Sequence, residues 1–448
     1  MGRVIVMDRI IDAIEKNRTL IYDTAKYIWE NPETGYKELK TDKYLKEQMV
    51  KLGYDIVPAD NITGFYAVLD TGKVGPTLLV LAELDSIICP DHKCADQKTG
   101  AVHSCGHHAQ CAALIGVAAA LKEKGVIDGL SGKIKLCFVP AEELLEIEYR
   151  SELKNNGVIK YYGGKGEFLY RGYFDDVDLA FMVHTSKSFS VNKRANGCLA
   201  KSVVYKGVAA HAGGSPWDGK NALYAATCGI NAVNAIRETF KESDYIRFHP
   251  IITSGGAMVN AIPETVKIET YVRGVTFDSI KRANKSVNQA LCGSALSLGN
   301  NVEIIDIPGY SPLVNAPDMI TLAKETYETL CPDKEFTIGE VSTGSTDMAD
   351  LSCIMPVVHP YASGAVGKAH GNDYYIEDAE SAYITSAKWQ LLMIKTLLEN
   401  GAERAKTIKQ NFKPAFSSKE EFLAYQDSLN DSGDRIKYNT DGTAVVRL

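Results

Sequence analysis

The sequence predicts an α/β protein in which a mixed, mainly parallel sheet is interrupted by a smaller ferredoxin-like α+β domain. Three observations carry that expectation. Apolar runs with strand character, TLLVLAEL (77–84), KIKLCFVPA (133–141) and DLAFMVH (178–184), alternate with helical segments, and continuous rather than alternating apolar strands belong to parallel sheets covered on both faces. From about residue 198 the pattern changes to β-α-β-β-α-β, the order of a ferredoxin-like sandwich. The length, 448 residues, exceeds one typical core and favours two to three domains.

In chain order, Ile10 to Gly53 reads as helical with a break at Asn31-Pro32, where Asn31 can cap and Pro32 can take the first helical position. After the strand at 77–84, AALIGVAAALKEKG (112–125) marks a helix beginning near Ala109 and closing at Gly125. The strands at 133–141 and 178–184 follow. Then CLAKSVVYKG alternates, a helix runs from Asn221 to Phe240, IRFHPIITSGG and TVKIETYVRG read as strands, a helix lies near 278–298, and NVEIIDIPG closes the set. Residues 198–312 are therefore expected as an inserted domain, with 1–197 and 313–448 forming a discontinuous first domain. Helices return after Pro317, at AKETYETL (323–330) and from Ala379 to about Leu398. The polar tail from Ala402 is expected to be a surface extension. No internal repeat or low-complexity tract is present.

The net charge of −7 argues against nucleic acid or an anionic membrane as partner, since neither attracts an acidic protein, and favours a small molecule. No run approaches the ~18 to 20 apolar residues that span a bilayer, and MGRVIVMDRI is too short and too charged for a secretory segment, so a cytoplasmic location is expected. In that setting the ten cysteines are read as reduced thiols. Cys198, Cys228 and Cys292, set among apolar residues, are expected to act as small core hydrophobes.

Chemistry concentrates in VHSCGHHAQC (102–111), three histidines and two cysteines where the composition predicts about 0.2 histidine per ten residues. Asp85 ends the first strand, Glu142 and Glu143 follow the second, and His184 closes the third; parallel sheets bind ligands outside the carboxyl ends of their strands. Cys105 and His107 precede a helix whose N-terminus favours a thiolate. Thiolate, imidazole and carboxylate are the zinc-binding side chains, and a mixed set with open positions is catalytic in character. Taken singly, each residue also fits a blander role: a buried thiol, a hydrogen-bonded core histidine, a solvated glutamate pair.

The motifs AELDSI, HSCGHHAQCAALIGVAAAL, FVPAEE, DVDLAFMVH, GVAAHAGGSPWDGKNAL, SGGAMVNAIPE, YVRG and TGSTDMADLS stand in an order that resembles the aminoacylase and carboxypeptidase metallopeptidases, family M20. The resemblance spans about residues 20–400. It is closest to the amidohydrolase branch, on the side of the B component of p-aminobenzoyl-glutamate hydrolase and of β-alanyl-dipeptidase-like proteins. It implies a catalytic domain of zinc-peptidase type, an inserted lid and dimerisation domain, and two divalent metal ions, zinc first, with manganese or cobalt as alternatives. Residue by residue, it implies that Cys105 bridges the ions, that His107 and His184 complete one set, and that Glu143 and His370 complete the other. Asp85 would orient a ligand imidazole and Glu142 would be the general base. His211 would reach the partner protomer's site as oxyanion donor, and Asn260 and Arg273 would hold the substrate carboxylate. The substrate implied is an N-acyl amino acid, an aminobenzoyl-glutamate-like compound or a dipeptide with a free carboxylate, and the assembly a homodimer through 198–312.

His108 and Gln110 depart from the branch, as does LLEIEYRSELKNNG after PAEE, which is expected to reshape the pocket mouth. His103 and Cys111 are neighbours of the metal set. His92, His249 and His359 are read as structural, with CPDHKC (89–94) able to take adventitious metal. Two other classes compete: a thiol hydrolase with Cys105 as nucleophile, and an inert metal-binding homologue.

Overall fold

The computed structural model describes residues 2–448, with side chains from Arg9 onward. Met1 and the first eight side chains, part of the MGRVIVMDRI segment, lie outside the described residues. The chain forms two compact units. One comprises Met1–Lys193, Val314–Glu340 and Thr346–Ser417, the other Arg194–Leu313, Val341–Ser345 and Ser418–Leu448. Among the described residues no helix is long and apolar enough to cross a membrane.

The first unit is built on a six-stranded sheet. Its strands are β1 (Ile56–Pro58), β2 (Phe65–Asp70), β3 (Thr77–Glu83), β4 (Lys133–Val139) and β5 (Leu179–Phe181), in the order β1-β2-β4-β3-β5, with Val357–Val358 outermost. β3 runs parallel to β4 and β5, and β5 to Val357–Val358, while β2 is antiparallel to β1 and β4. Every residue of β3 is buried, as its unbroken apolar run requires of a strand covered on both faces. Helices α1 (Arg18–Trp29) and α2 (His107–Leu121) pack together, and Ser386–Leu398 packs on α2. All residues of α2 are buried, and beyond the polar first turn (His107, His108, Gln110) the helix is apolar all round, as burial on every side requires.

Two local expectations give way here. Pro32 starts no helix: α1 ends at Trp29 and the next helix is Leu39–Lys51. The cap comes instead from the Glu33 carboxylate, which accepts the Lys40 and Thr41 N–H groups at 2.9 and 3.0 Å, satisfying donors a helix start leaves open. The run at 178–184 also divides. β5 stops at Phe181, and His184–Thr185 pairs in parallel with Tyr361–Ala362 in a different sheet.

The second unit contains β6 (Gly197–Lys206), α3 (Ala222–Ile236), β7 (Arg247–Phe248), β8 (Ile251–Ser254), β9 (Thr265–Gly274), α4 (Phe277–Ser297) and β10 (Asn301–Pro308). This is the β-α-β-β-α-β order read from the sequence, except that its second strand is split into β7 and β8, both paired with β9. Alternate residues of β9, Val266, Ile268 and Val272, join the core under α3 and α4. Asn221 caps α3 by accepting the Leu223 N–H at 2.9 Å, and Thr276 with Ser279 forms a capping box on α4.

The tail is more than a surface extension of the first unit. Helix α5 (Lys419–Ser428) and β11 (Asp431–Asp434) lie in the second unit, and β11 pairs antiparallel with β10 to extend the sheet to β7-β9-β6-β10-β11. DSGD carries no apolar alternation to announce a strand. What holds it is backbone pairing and the buried Arg435, which donates to Ile304 O at 3.0 Å and to Asp431 at 2.8 Å. Of the three cysteines expected in cores, Cys198 and Cys292 are buried and Cys228 is exposed on α3.

Candidate metal centre

The carboxyl ends of the parallel strands set the site. Glu83 ends β3 and Asp85 follows it, Glu142 and Glu143 follow β4, and α2 begins at His107. Gly106, with φ 96°, turns the chain into α2. A Cβ there would lie 2.4 Å from the Tyr374 hydroxyl, so only glycine lets Cys105 and His107 approach in this way. Ala141 and His370 also sit at positive φ, 57° and 63°, and the His370 N–H is anchored to Ser104 O at 2.9 Å. Left-handed backbone at non-glycine residues is strained and persists where the surroundings hold it.

The ligand atoms of Cys105, His107 and His184 all lie within 4.8 Å of one another, and so do those of Cys105, Glu143 and His370. Cys105 Sγ is 3.5 Å from His184 Nε2, and Glu143 Oε1 is 3.0 Å from His370 Nε2. Asp85 spans both sets. Its Oδ1 and backbone oxygen lie 3.2 and 2.9 Å from His107 Nδ1, and its Oδ2 accepts the Glu143 N–H at 2.8 Å. That fixes His107 with Nδ1–H donating and Nε2 free to ligate. Yet His107 Nε2 and Glu143 Oε1 are buried without a hydrogen bond. Their neighbours are near but not aligned, the arrangement of atoms aimed at shared points between them.

The charges say the same. Burial and Glu143 push the Cys105 thiol up, but His107 and His184 outweigh them and bring it to about 6. Against the cost of burial, His370 holds Glu143 down at about 2, and Glu143 in turn raises His370 to about 11. Burial, then Glu83, Glu143 and Asp347, push Glu142 well above the usual carboxylate range. Donors that otherwise draw protons from one another are suited to a cation that replaces those protons, and the donor set matches zinc chemistry.

Three buried groups carry weight that their sequence context did not signal. Lys165, in the first turn of the helix Gly164–Tyr170, is fully buried and pairs with both Glu83 and Asp347. Glu83 Oε2 lies 3.2 Å from His107 Nε2, and Glu83, His107 and Glu142 form a further cluster of donors within 4.8 Å. The spacing of Glu83 two residues before Asp85 was the available clue; Lys165 offered none. Gln110, a departure from the branch, donates to Glu83 at 2.8 Å, and Cys111 donates to the Glu83 carbonyl at 3.0 Å. His108 is buried against Trp29 and Tyr383, with His103 beside it. His359, read as structural, stands at the same sheet edge, its ring 5.6 Å from that of His184.

In the second unit, His211 is exposed, and its Nδ1 accepts the Gly213 and Gly214 N–H groups at 3.1 and 2.8 Å. With Nδ1 accepting, Nε2 is left as the donor. Asn260 is brought next to it, since Asn260 O accepts the Ala212 N–H at 3.0 Å. Arg273 lies on β9.

Residues 82–396 match the peptidase family M20/M25/M40. The chain belongs to that family. It is 25% identical over 388 residues to the Xaa-Arg dipeptidase of Mus musculus, covering 84% of this chain and 82% of that one. With the B component of the p-aminobenzoyl-glutamate hydrolase of Escherichia coli it shares 28% identity over 306 residues, 66% and 59% of the two chains. Among solved structures, a dinuclear metal binding peptidase of the M20 family from Bacillus subtilis superposes with a TM-score of 0.64 at 18% identity, over 86% of this chain and 99% of that one. The M20 chain described here is thus an enzyme, a metallopeptidase or amidohydrolase, with a mixed, mainly parallel catalytic sheet.

Proposed function

We propose that this M20 enzyme is a dinuclear metal-dependent amidohydrolase that cleaves the amide bond of an N-acyl amino acid, an aminobenzoyl-glutamate-like compound or a dipeptide with a free carboxylate. The observation that carries the reading is the pair of donor sets sharing Cys105 Sγ, with Glu142 Oε2 only 3.9 Å from His107 Nε2. His107 and His184 would hold one ion, Glu143 and His370 the other, and the mixed donors would favour zinc, with manganese or cobalt able to substitute. Bound there, two divalent cations would lower the pKa of water toward about 7 and polarise the amide carbonyl. Glu142 takes the proton from the attacking water and passes it to the leaving amine nitrogen. His211 donates from Nε2 to the developing oxyanion, and Asn260 and Arg273 bind the carboxylate, the arginine through two parallel hydrogen bonds. In a homodimer formed through 198–312, His211 of one protomer serves its partner's site. A cytoplasmic location suits an enzyme that keeps Cys105 as a reduced thiolate.

Glu142→Gln tests the assignment: both ions stay bound and kcat falls by about 10²- to 10⁴-fold. Full turnover in that variant removes Glu142 from the base role. Turnover that survives chelation and is abolished by thiol alkylation would instead favour Cys105 as a nucleophile, for which the Cys105–His184 contact is the supporting geometry.

A further inference from the structure

The register of the second unit sets Arg247 of β7 directly opposite Arg273 of β9. Like charges facing each other across a sheet are unfavourable, and neither guanidinium has a carboxylate partner among the described residues. Arg247 donates from Nη1 to Ile246 O at 2.9 Å and Arg273 from Nη1 to Ser345 Oγ at 3.1 Å. Extending the same register by two residues brings His249 alongside Tyr271. These four residues and Thr343 line a cavity of about 230 Å³. The Arg273 guanidinium lies 5.2 Å from the centre of the Tyr271 ring, a contact that keeps its fork in place. Glu269, the next residue along that face of β9, stands opposite Ile251 and lies outside the cavity lining. Val266, Ile268 and Val272 on the other face are committed to the core, so the arginine pair sits on the face those core residues leave.

Each guanidinium offers a planar fork matched to one carboxylate, so two adjacent forks without acids of their own ask for two carboxylates. The cavity is smaller than the ~300 to 1,000 Å³ that encloses a whole drug-sized ligand, and it suits an amino-acid-sized group. We propose that it receives the amine half of the substrate and that Arg247 makes the enzyme selective for an acidic amino acid, of the aspartate or glutamate class. Arg273 takes the α-carboxylate and Arg247 the side-chain carboxylate, while His249 and Thr343 add donors at the rim. A basic leaving amino acid is repelled by both arginines. This rests on the amidohydrolase reading above.

The test compares kcat/KM for N-benzoyl-glutamate, N-benzoyl-glutamine and N-benzoyl-arginine on the metal-loaded full-length enzyme, wild type, Arg247→Gln and Arg247→Lys. Glutamate and glutamine derivatives share shape and differ in charge. The wild type prefers glutamate by about ten-fold or more and cleaves the arginine derivative slowest. Arg247→Gln removes most of the glutamate-to-glutamine ratio, and Arg247→Lys restores part of it. Equal rates on the two in the wild type, or an unchanged ratio in Arg247→Gln, overturn the proposal. Should no benzoyl amino acid be cleaved, the amidohydrolase reading fails separately, and calorimetry with the same ligands decides the pocket. Tighter binding of the glutamate derivative by the wild type, lost in Arg247→Gln, upholds it; equal binding of the two derivatives defeats it.

Discussion

The candidate site residues of the two units stand in opposite surroundings. In the first, Glu83, Asp85, His107, Glu143 and Asp347 are buried at the sheet edge and tied to one another: Glu83 and Asp347 by Lys165, His107 and the Glu143 backbone by Asp85. In the second, His211, Asn260 and Arg247 are exposed, and Arg247 and Arg273 face each other with no acid between them. A buried site is rigid because removing any member strands its partners. An exposed set is free to meet a ligand, and its loss leaves the fold alone. Replacing a buried charge-paired residue of the first unit should therefore damage stability and chemistry together, and replacing an exposed site residue of the second, chemistry only.

The largest effect is expected at Lys165. Replacement by Met leaves Glu83 and Asp347 as uncompensated buried charges, which costs about 3 to 5 kcal/mol, read as a lower urea midpoint at unchanged slope. Adding Glu83→Gln and Asp347→Asn to that variant should recover much of the loss. If Lys165→Met alone costs under about 1 kcal/mol, the clamp is not what holds the sheet edge.

His211→Ala is the counterpart. It should lower kcat by about 10²- to 10³-fold, the usual worth of an oxyanion donor, with no change in melting temperature. Mixed with Glu142→Gln, it should regain activity through hybrid dimers. No recovery despite demonstrated exchange of protomers would place His211 in its own protomer's chemistry or outside the reaction.

The acid side of the comparison is graded by pH. The Cys105 thiol, near 6, must lose its proton to bind an ion. Affinity is therefore full above that value and falls as pH drops through it, by at least about ten-fold between pH 7 and 5 in a competitive chelator titration. A flat profile would mean the sulfur is not a ligand. The smallest effect sits in the second unit: Asn221→Ala removes the cap of α3 and should cost about 1 kcal/mol of stability, with kcat/KM untouched.

Much of this was legible in the chain because it was written in local pattern. The continuous apolar strands announced the buried sheet, and the reactive residues stood at its carboxyl edge. Residue types so placed were enough to nominate Cys105, His107, Glu142, Glu143 and His184. His370 was nominated only by resemblance, since its left-handed backbone and its tie to Ser104 have no local signal. Lys165 was invisible for a related reason: a lysine set among glycines at a helix start looks solvated until the fold closes two distant carboxylates around it. The β11 strand was missed because DSGD has no apolar alternation and is held by backbone pairing and polar partners, and Pro32 misled because the capping carboxylate, Glu33, lies six and more residues from the helix start that it serves.

Cys105 belongs to both donor sets, so two cations would share its sulfur, and metal analysis of the purified enzyme, wild type beside Cys105→Ala, decides whether they do. Two divalent ions per wild-type chain, with that stoichiometry reduced and turnover lost in the variant, is the predicted result; an unchanged ion count and undiminished turnover in Cys105→Ala would contradict it.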